Sequence, residues 1–351
     1  MPPCNASANV EREPWEGSRR PVGSPFSLFS GPDTIAVGIV KKVYRFSDRP
    51  LPLVSEVGGK GLSLMSLFQA GFPVPNGFIL SPEFFSTWIE RVKAAPAWKE
   101  FAAGDPAVCQ SVCRQLKNDA QSFVCSAAQK ATLTDELHHL EKNACLAVRS
   151  SAPEEDQALS SFAGLYRTIL GVLPGEIEAA LRSVFTACLD PRVVAYKRAR
   201  GFDHTQLHCA IVVQEQLAGD VSGVGFSVNP LTHNVDEVVF EANWGLGETV
   251  VSGAVSPDRF VVNKPTRTIV SRRLGHKESS VVLGESGGTR QWEDPRHEVM
   301  SLTDGQLQAL TEAAIAIERH YAGPMDIEWT FSEGRLYLLQ ARPITTTAHV
   351  N

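Results

Sequence analysis

The sequence has no excess of positive charge: 33 Lys and Arg stand against 39 Asp and Glu, a formal net charge of −6 over 351 residues. A nucleic-acid binder would ordinarily carry a basic patch or a strongly basic domain, so that class is set aside. A small phosphorylated ligand needs only a few local cations and stays open. The sequence also lacks any run of 18 apolar residues, so no helical membrane span is expected. Its N-terminus lacks a basic-then-apolar signal pattern, and Glu11, Glu13 and Glu16 count against a transit peptide. The sequon Asn5-Ala6-Ser7 is therefore not expected to be glycosylated. Paired cysteines are missing too. The seven present, at 4, 109, 113, 125, 145, 188 and 209, are odd in number and scattered. Cys109 and Cys113 stand at helical i, i+4 spacing, but no second pair or nearby histidine completes a zinc pattern. Free thiols in a reducing compartment follow, and with them the expectation of a soluble, cytoplasmic protein.

What is there suits a globular chain: 43% hydrophobic and 21% charged residues, long enough to bury a sizeable core. Residues 1–36, rich in Pro, Ser, Gly and charge without periodicity, read as a mobile extension, with order starting near Val37. Leu62, Met65 and Phe68 then recur at helical spacing, with Gly71 as the C-terminal cap. A short strand is expected at Gly77–Leu80, a helix opening at Pro82, and mostly helix over 83–143. "CLAVRSS" (145–151) reads as a strand running into a polar loop, and Ile177, Leu181, Val184, Phe185 and Cys188 form a helical stripe. The second half changes texture. "CAIVVQEQL", "SGVGFSV", "EVVFEANW", "DRFVVNK" and "TRTIVSRRL" are β-like segments punctuated by Gly, Asn and Pro. One helix interrupts them at 303–321, opened by a Thr303/Gln306 capping box, and a terminal hairpin follows: "MDIEWTF", a turn at Ser332–Arg335, "LYLLQAR". The fold class is α+β, with a helix-rich first half and a sheet-rich second half.

Three stretches could carry chemistry. In "EVGGKGLSLM" Lys60 sits among glycines ahead of the helical pattern, but this is no Walker A loop, which would need Gly at 54 and Ser or Thr at 61 where the chain has Val54 and Gly61. "SGVGFSV" and "GLGETV" miss the third glycine of a dinucleotide fingerprint, and neither bridges a clear strand and helix. Lys60 alone reads as a turn lysine or a phosphate ligand. In "AVRSSAPEEDQALSSFAGLY" Arg149 at a strand end suits an anionic group, or simply pairs with Glu154, Glu155 and Asp156. In the terminal hairpin, alternation puts Asp326, Glu328 and Thr330 on one face, with Leu338, Gln340 and Arg342 sharing a face of the returning strand. A register pairing Glu328 with Gln340 and Asp326 with Arg342 would offer oxygen ligands suited to Mg²⁺, or two cross-strand pairs on a solvated face.

Taken in order, "EVGGKGLSLMSLFQAGFPVPNGF", "AVRSSAPEEDQALSSFAG", "VVQEQL", "EANWGLGETVVSGAVSPDRFVV" and "DIEWTFSEGRLYLLQARPIT" resemble the ATP-binding domain of phosphoenolpyruvate synthase, pyruvate phosphate dikinase and rifampicin phosphotransferase, a branch of the ATP-grasp fold. The resemblance covers roughly 38–347. It implies a bilobal nucleotide-binding domain over 37–347, its N-terminal part about 37–210 and its C-terminal part about 211–347, with ATP in the cleft between. It further implies that Lys60 and Arg149 hold nucleotide phosphates and that Gly164 closes over them. Gln214, Glu215 and Gln216 match the hinge that reads adenine, largely through backbone groups, although Gln216 replaces the usual Met. Glu328 and Gln340, twelve residues apart, look like metal and phosphate ligands, Arg342 like the cation on the transferring phosphoryl group, and Glu248 of "GLGE" like a further site member. ATP and Mg²⁺ are the implied cofactors. Phosphoryl transfer is mostly positioning and charge neutralisation, and a unit-charge pair at about 4 Å with an effective dielectric near 20 attracts by about 4 kcal/mol gross.

Family members usually continue into a swivelling domain whose histidine carries the phosphoryl group. None of the nine histidines here sits in such a motif, including His233 near the expected site, and the sequence ends at Asn351. Three readings follow. The favoured one is a kinase- or dikinase-type phosphotransferase that binds Mg·ATP and passes a phosphoryl group to a small molecule or to a histidine domain on another chain. The second is a stand-alone ATP-grasp ligase forming an acyl phosphate. The third is a non-catalytic nucleotide-binding module, against which the intact Lys60, Arg149, Glu328, Gln340 and Arg342 set weighs.

Overall fold

A computed structural model describes residues 41–141, 145–153, 167–207 and 209–344. The expected extension over 1–36 and the onset of order near Val37 lie outside them. The chain divides into two compact units: 41–65 with 76–216, and 66–75 with 217–344.

The first unit is built from β1 (Val43–Arg45), most of α1 (Val54–Gln69), β2 (Gly77–Leu80), α2 (Ser86–Ala94), α3 (Trp98–Ala103), α4 (Pro106–Ala120), α5 (Ala127–Leu137), β3 (Leu146–Ser151), β4 (Thr168–Val172), α6 (Ile177–Phe185), α7 (Pro191–Ala199) and β5 (Ala210–Glu215). Its strands form one antiparallel sheet in the order β1-β2-β5-β3-β4. β3 is buried along its whole length, so both of its faces are covered. The apolar stripe of α6 meets α2 in an aromatic cluster of Phe85, Trp88 and Phe185, with ring centroids 5.3 to 5.7 Å apart. Such clusters contribute dispersion beyond plain burial. Pro82 opens a short 3₁₀ turn that leads into α2, in line with proline's fixed φ.

The second unit carries β6 (Val221–Phe226), β7 (Glu237–Trp244), the single turn α8 (Glu248–Val251), β8 (Asp258–Asn263), β9 (Ile269–Arg273), β10 (Ser279–Leu283), β11 (Thr289–Glu293), α9 (Asp304–Tyr321), β12 (Met325–Ser332) and β13 (Arg335–Pro343). Six strands make an antiparallel sheet in the order β13-β12-β6-β7-β8-β9, and β10 pairs with β11 alone. The expected capping box opens α9: Thr303 N donates to Gln306 Oε1 (2.9 Å) and Gln306 N to Thr303 Oγ1 (3.3 Å). Leu307, Leu310, Ala314, Ile317 and Tyr321 are buried along that helix.

The α+β plan holds, and three local expectations change. A helical turn precedes Gly58, whose non-helical dihedrals (φ 70°, ψ 169°) kink the span Val54–Gln69, so that Lys60 stands in the first turn of the stretch after the kink. "GLGE" does bridge a strand and a helix, joining β7 to α8. Leu338 does not share a face with Gln340. The turn at Glu333 and Gly334, both at positive φ, sets one register, and a bulge opposite Glu328 and Trp329 shifts it, so that Leu338 pairs with Trp329 and is fully buried.

Among the described residues no helix is long and apolar enough to cross a membrane. The six described cysteines are free; Cys109 and Cys113 place their sulfurs 3.9 Å apart on α4, and burial pushes the Cys113 thiol up to about 12.

Candidate functional site

In the first unit the sequence-marked cations meet at the end of β3. Gly58 is required there on two counts. Its dihedrals lie in a region that side chains rarely enter, and a Cβ would stand 2.2 Å from the Ser151 carbonyl oxygen. That close approach lets Gly59 N donate to Ala152 O (3.1 Å) and Gly61 N to Ser151 Oγ (2.9 Å), while Ser151 Oγ donates to Val57 O (2.7 Å). Lys60 is thereby carried over the strand end, where its Nζ donates to Ser150 O at 3.0 Å and the side chain is 5% exposed. Arg149, also buried, precedes Ser150 on β3. The helix start is pinned from outside by Glu56, whose carboxylate accepts from Leu53 N (2.9 Å) and from the Tyr44 hydroxyl. Burial, then the bond to Glu56, raises the Tyr44 phenol to about 12, so it stays a donor. Gly164 and the acids at 154–156 lie outside the described residues.

Gln214 on β5 is buried and lies opposite both Gly77 of β2 and Ala147 of β3. Glu215 turns its carboxylate to structural use, accepting from Asn76 N (3.2 Å) and Glu141 N (2.8 Å). The backbone amides of Glu215 and Gln216 donate to Asn76 O and Cys145 O. Both amides are thus committed within the unit.

In the second unit Glu328 lies opposite Gln340, and Asp326 opposite Arg342, in the expected register. Arg342 donates from Nε (2.8 Å) to Asp326 Oδ2, with its Nη2 2.7 Å from the same oxygen. Desolvation nevertheless holds the Asp326 carboxyl above the usual range; Arg342 opposes that and Glu328 adds to it. Directly opposed residues point to the same side of a sheet. The row Gln340, Glu328, Val224, Glu241, Arg259 therefore lies on one face across five strands, and Thr330, Ser222 and Asn243 form the next row on that face. Glu241 and Asn243 were not among the sequence candidates, although the period-two pattern of "VFEANW" puts both on one face. The opposite face, with Ile327, Trp329 and Phe331, is buried.

Glu248 begins α8, which packs against β6, β7 and β10. Its side chain is exposed in part, yet desolvation raises its carboxyl above the usual range, with a hydrogen bond from Thr289 acting the other way. The structure therefore groups Lys60, Arg149 and Gln214–Gln216 in one unit, and Glu248, Glu328, Gln340 and Arg342 in the other.

The chain matches the model of the pyruvate phosphate dikinase, AMP/ATP-binding domain family over residues 54–351. It belongs to that family. A probable phosphoenolpyruvate synthase from Methanocaldococcus jannaschii is 35% identical over 305 residues, covering 84% of this chain and 26% of that protein. The prodigiosin synthesizing transferase PigC of Serratia marcescens is 34% identical over 299 residues, covering 83% of this chain and 32% of that protein. The chain spans between about a quarter and a half of the length of the curated relatives it matches. A D-alanine-D-alanine ligase structure from Coxiella burnetii overlaps 81% of this chain and 47% of that one at 13% identity, but its TM-score of 0.30 is too low to carry an argument.

Proposed function

We propose that the chain is an ATP-grasp-like, Mg²⁺-dependent phosphotransferase domain of the phosphoenolpyruvate synthase type, bilobal over about 37–347 and acting in the cytoplasm. It takes ATP and passes a phosphoryl group to a small molecule or to a histidine domain on another chain. The observation that carries this reading is the register that sets Glu328 opposite Gln340 on a polar face of an otherwise apolar hairpin. A carboxylate beside an amide oxygen fits Mg²⁺, which takes one or two protein oxygens and completes its octahedron with phosphate and water. Family membership supports the nucleotide.

In this reading Lys60 and Arg149 neutralise phosphate oxygens, and Gln214–Gln216 frame the base. Glu328 and Gln340 hold the metal, which when bound would neutralise phosphate charge. Glu248 adds a further carboxylate. Arg342, oriented by Asp326, steadies charge on the transferring group, a role that positioned cations fill in phosphoryl transfer generally. The buried setting of Lys60 and Arg149 strengthens such contacts relative to water. The relatives differ in what their names say they make, so the acceptor is left as a class.

Glu328→Ala is expected to lower Mg²⁺-dependent ATP turnover by about 100-fold or more while leaving the thermal unfolding curve in place. Turnover is to be followed by product analysis with candidate acceptors and with a separately expressed histidine domain. Unchanged turnover would remove the metal assignment.

A further inference from the structure

The polar face that carries Glu328 and Gln340 continues across the second unit's sheet to two arginines given no part in nucleotide binding. Glu241 on β7 lies opposite Arg259 on β8, and Arg259 lies opposite Arg273 on the edge strand β9. Directly opposed residues share a face, so both guanidinium groups stand on the side of the sheet that carries Glu328. With strands about 4.8 Å apart, the backbone of Arg259 is roughly 14 Å from that of Glu328, three strands away.

Like charges directly opposite each other destabilise a strand pair. Arg272, next along β9, alternates to the other face and is neutralised there by Asp304 at 2.7 Å. Arg259 and Arg273 have no such relief: among the described residues neither is joined to a carboxylate, Glu241 included. An arginine on an edge strand discourages edge-to-edge pairing, and Arg273 by itself would serve that purpose. Arg259 has no such use. It is half-buried on an interior strand, and its Nε is shut off from solvent without a hydrogen-bond partner. A buried charged donor left unmet costs free energy, which an anion laid between the two guanidinium groups would recover.

We propose that Arg259 and Arg273 form an oxyanion subsite for the phosphoryl acceptor, which therefore carries a carboxylate or a phosphate of its own. The acceptor role rests on the phosphotransferase reading, whereas the oxyanion site stands on the two arginines alone. A guanidinium presents parallel N–H donors that match either group bidentately, and two of them one strand apart can take the oxygens of one anion from both sides. Glu241, next in the row, repels further negative charge, so the site suits one compact anionic group and not a polyphosphate chain. Held there, the acceptor's anionic end stays clear of the phosphates at Glu328 and Gln340.

The full chain is titrated with inorganic phosphate and, separately, with acetate. Binding is followed by ¹⁵N NMR on the Nε–H resonances of Arg259 and Arg273, assigned with the variants and read in each variant at the one that remains. At least one of the two anions is expected to bind the wild type, and which of them binds distinguishes a phosphate-bearing from a carboxylate-bearing acceptor. Arg259→Gln and Arg273→Gln are each expected to weaken that binding by about tenfold or more, and Arg272→Gln, on the opposite face, to leave it in place. Glu241→Gln is expected to tighten it, a gain that misfolding cannot produce. A wild type that binds neither anion, or a loss in Arg272→Gln as large as in Arg259→Gln, overturns the site. Mg·ATP affinity, measured by calorimetry, is expected to be unchanged in Arg259→Gln, and a parallel loss would give the arginines to the nucleotide and overturn the acceptor role. If the wild type binds no Mg·ATP, the phosphotransferase reading fails and the acceptor role with it, while the phosphate and acetate titrations still decide the oxyanion site.

Discussion

Lys277 and Asp258 show what a buried charge demands in this chain. Both side chains are fully buried, with Lys277 Nζ 2.6 Å from Asp258 Oδ1 and 3.1 Å from His297 O. The carboxylate also accepts from Gly275 N, Ser301 N and Ser301 Oγ. One ion pair therefore gathers β8 and two loops. Breaking such a pair by removing one partner typically costs about 3–5 kcal/mol, because the other charge is left buried. Lys277→Met is expected to lose stability in that range in urea unfolding, and a loss under about 1 kcal/mol would mean the pair is dispensable. Nothing in the sequence marked it, since its partners are distant along the chain. Lys60, Arg149, Glu328 and Gln340 were legible because each stands in a short motif. Glu241 and Asn243 were not, because their setting depends on which strands become neighbours. Arg342 was legible as a cation, and the expected register already set Asp326 opposite it.

At the level of elements, α1 was half visible. The apolar spacing of Leu62, Met65 and Phe68 marks its second part, but paired glycines are poor helix formers, so "VSEVGG" reads as loop. Tertiary bonds from 57–61 to Ser151 and Ala152 supply what propensity lacks. Gly58→Ala meets both a disfavoured backbone region, worth about 1–3 kcal/mol, and the Ser151 carbonyl. It is expected to destabilise the chain by at least about 2 kcal/mol in chemical unfolding, and a neutral result would show that the approach of α1 to β3 is not tight. Strands β5–β9 were found close to their observed ends because Gly, Asn and Pro punctuate them. The hairpin β10–β11 was missed for a physical reason: every residue of β11 is exposed, so no buried face imprints alternation on it. The terminal hairpin was read with its Glu328–Gln340 register. Its bulge was not, because one extra residue leaves the polar pairs opposed while turning Leu338 into the core.

Over the whole molecule, the change from helix-rich to sheet-rich texture was plain in the sequence. The grouping of 66–75 with the second unit was not, since it is set by contacts remote in sequence. Net acidity sits alongside local cations: Lys60 and Arg149 are buried together at one strand end of a chain with a formal charge of −6. That combination suits a small, highly charged ligand and not an extended polyanion. In the proposed function this corner holds the phosphates of a nucleotide. Its most direct test is calorimetry of Mg·ATP and of adenosine with the wild type and with Lys60→Ala. The substitution is expected to weaken Mg·ATP by about tenfold or more, roughly 1.4 kcal/mol, and to leave adenosine nearly unchanged. Equal losses for both ligands, or none for either, would contradict it and leave Lys60 as a helix residue bonded to Ser150.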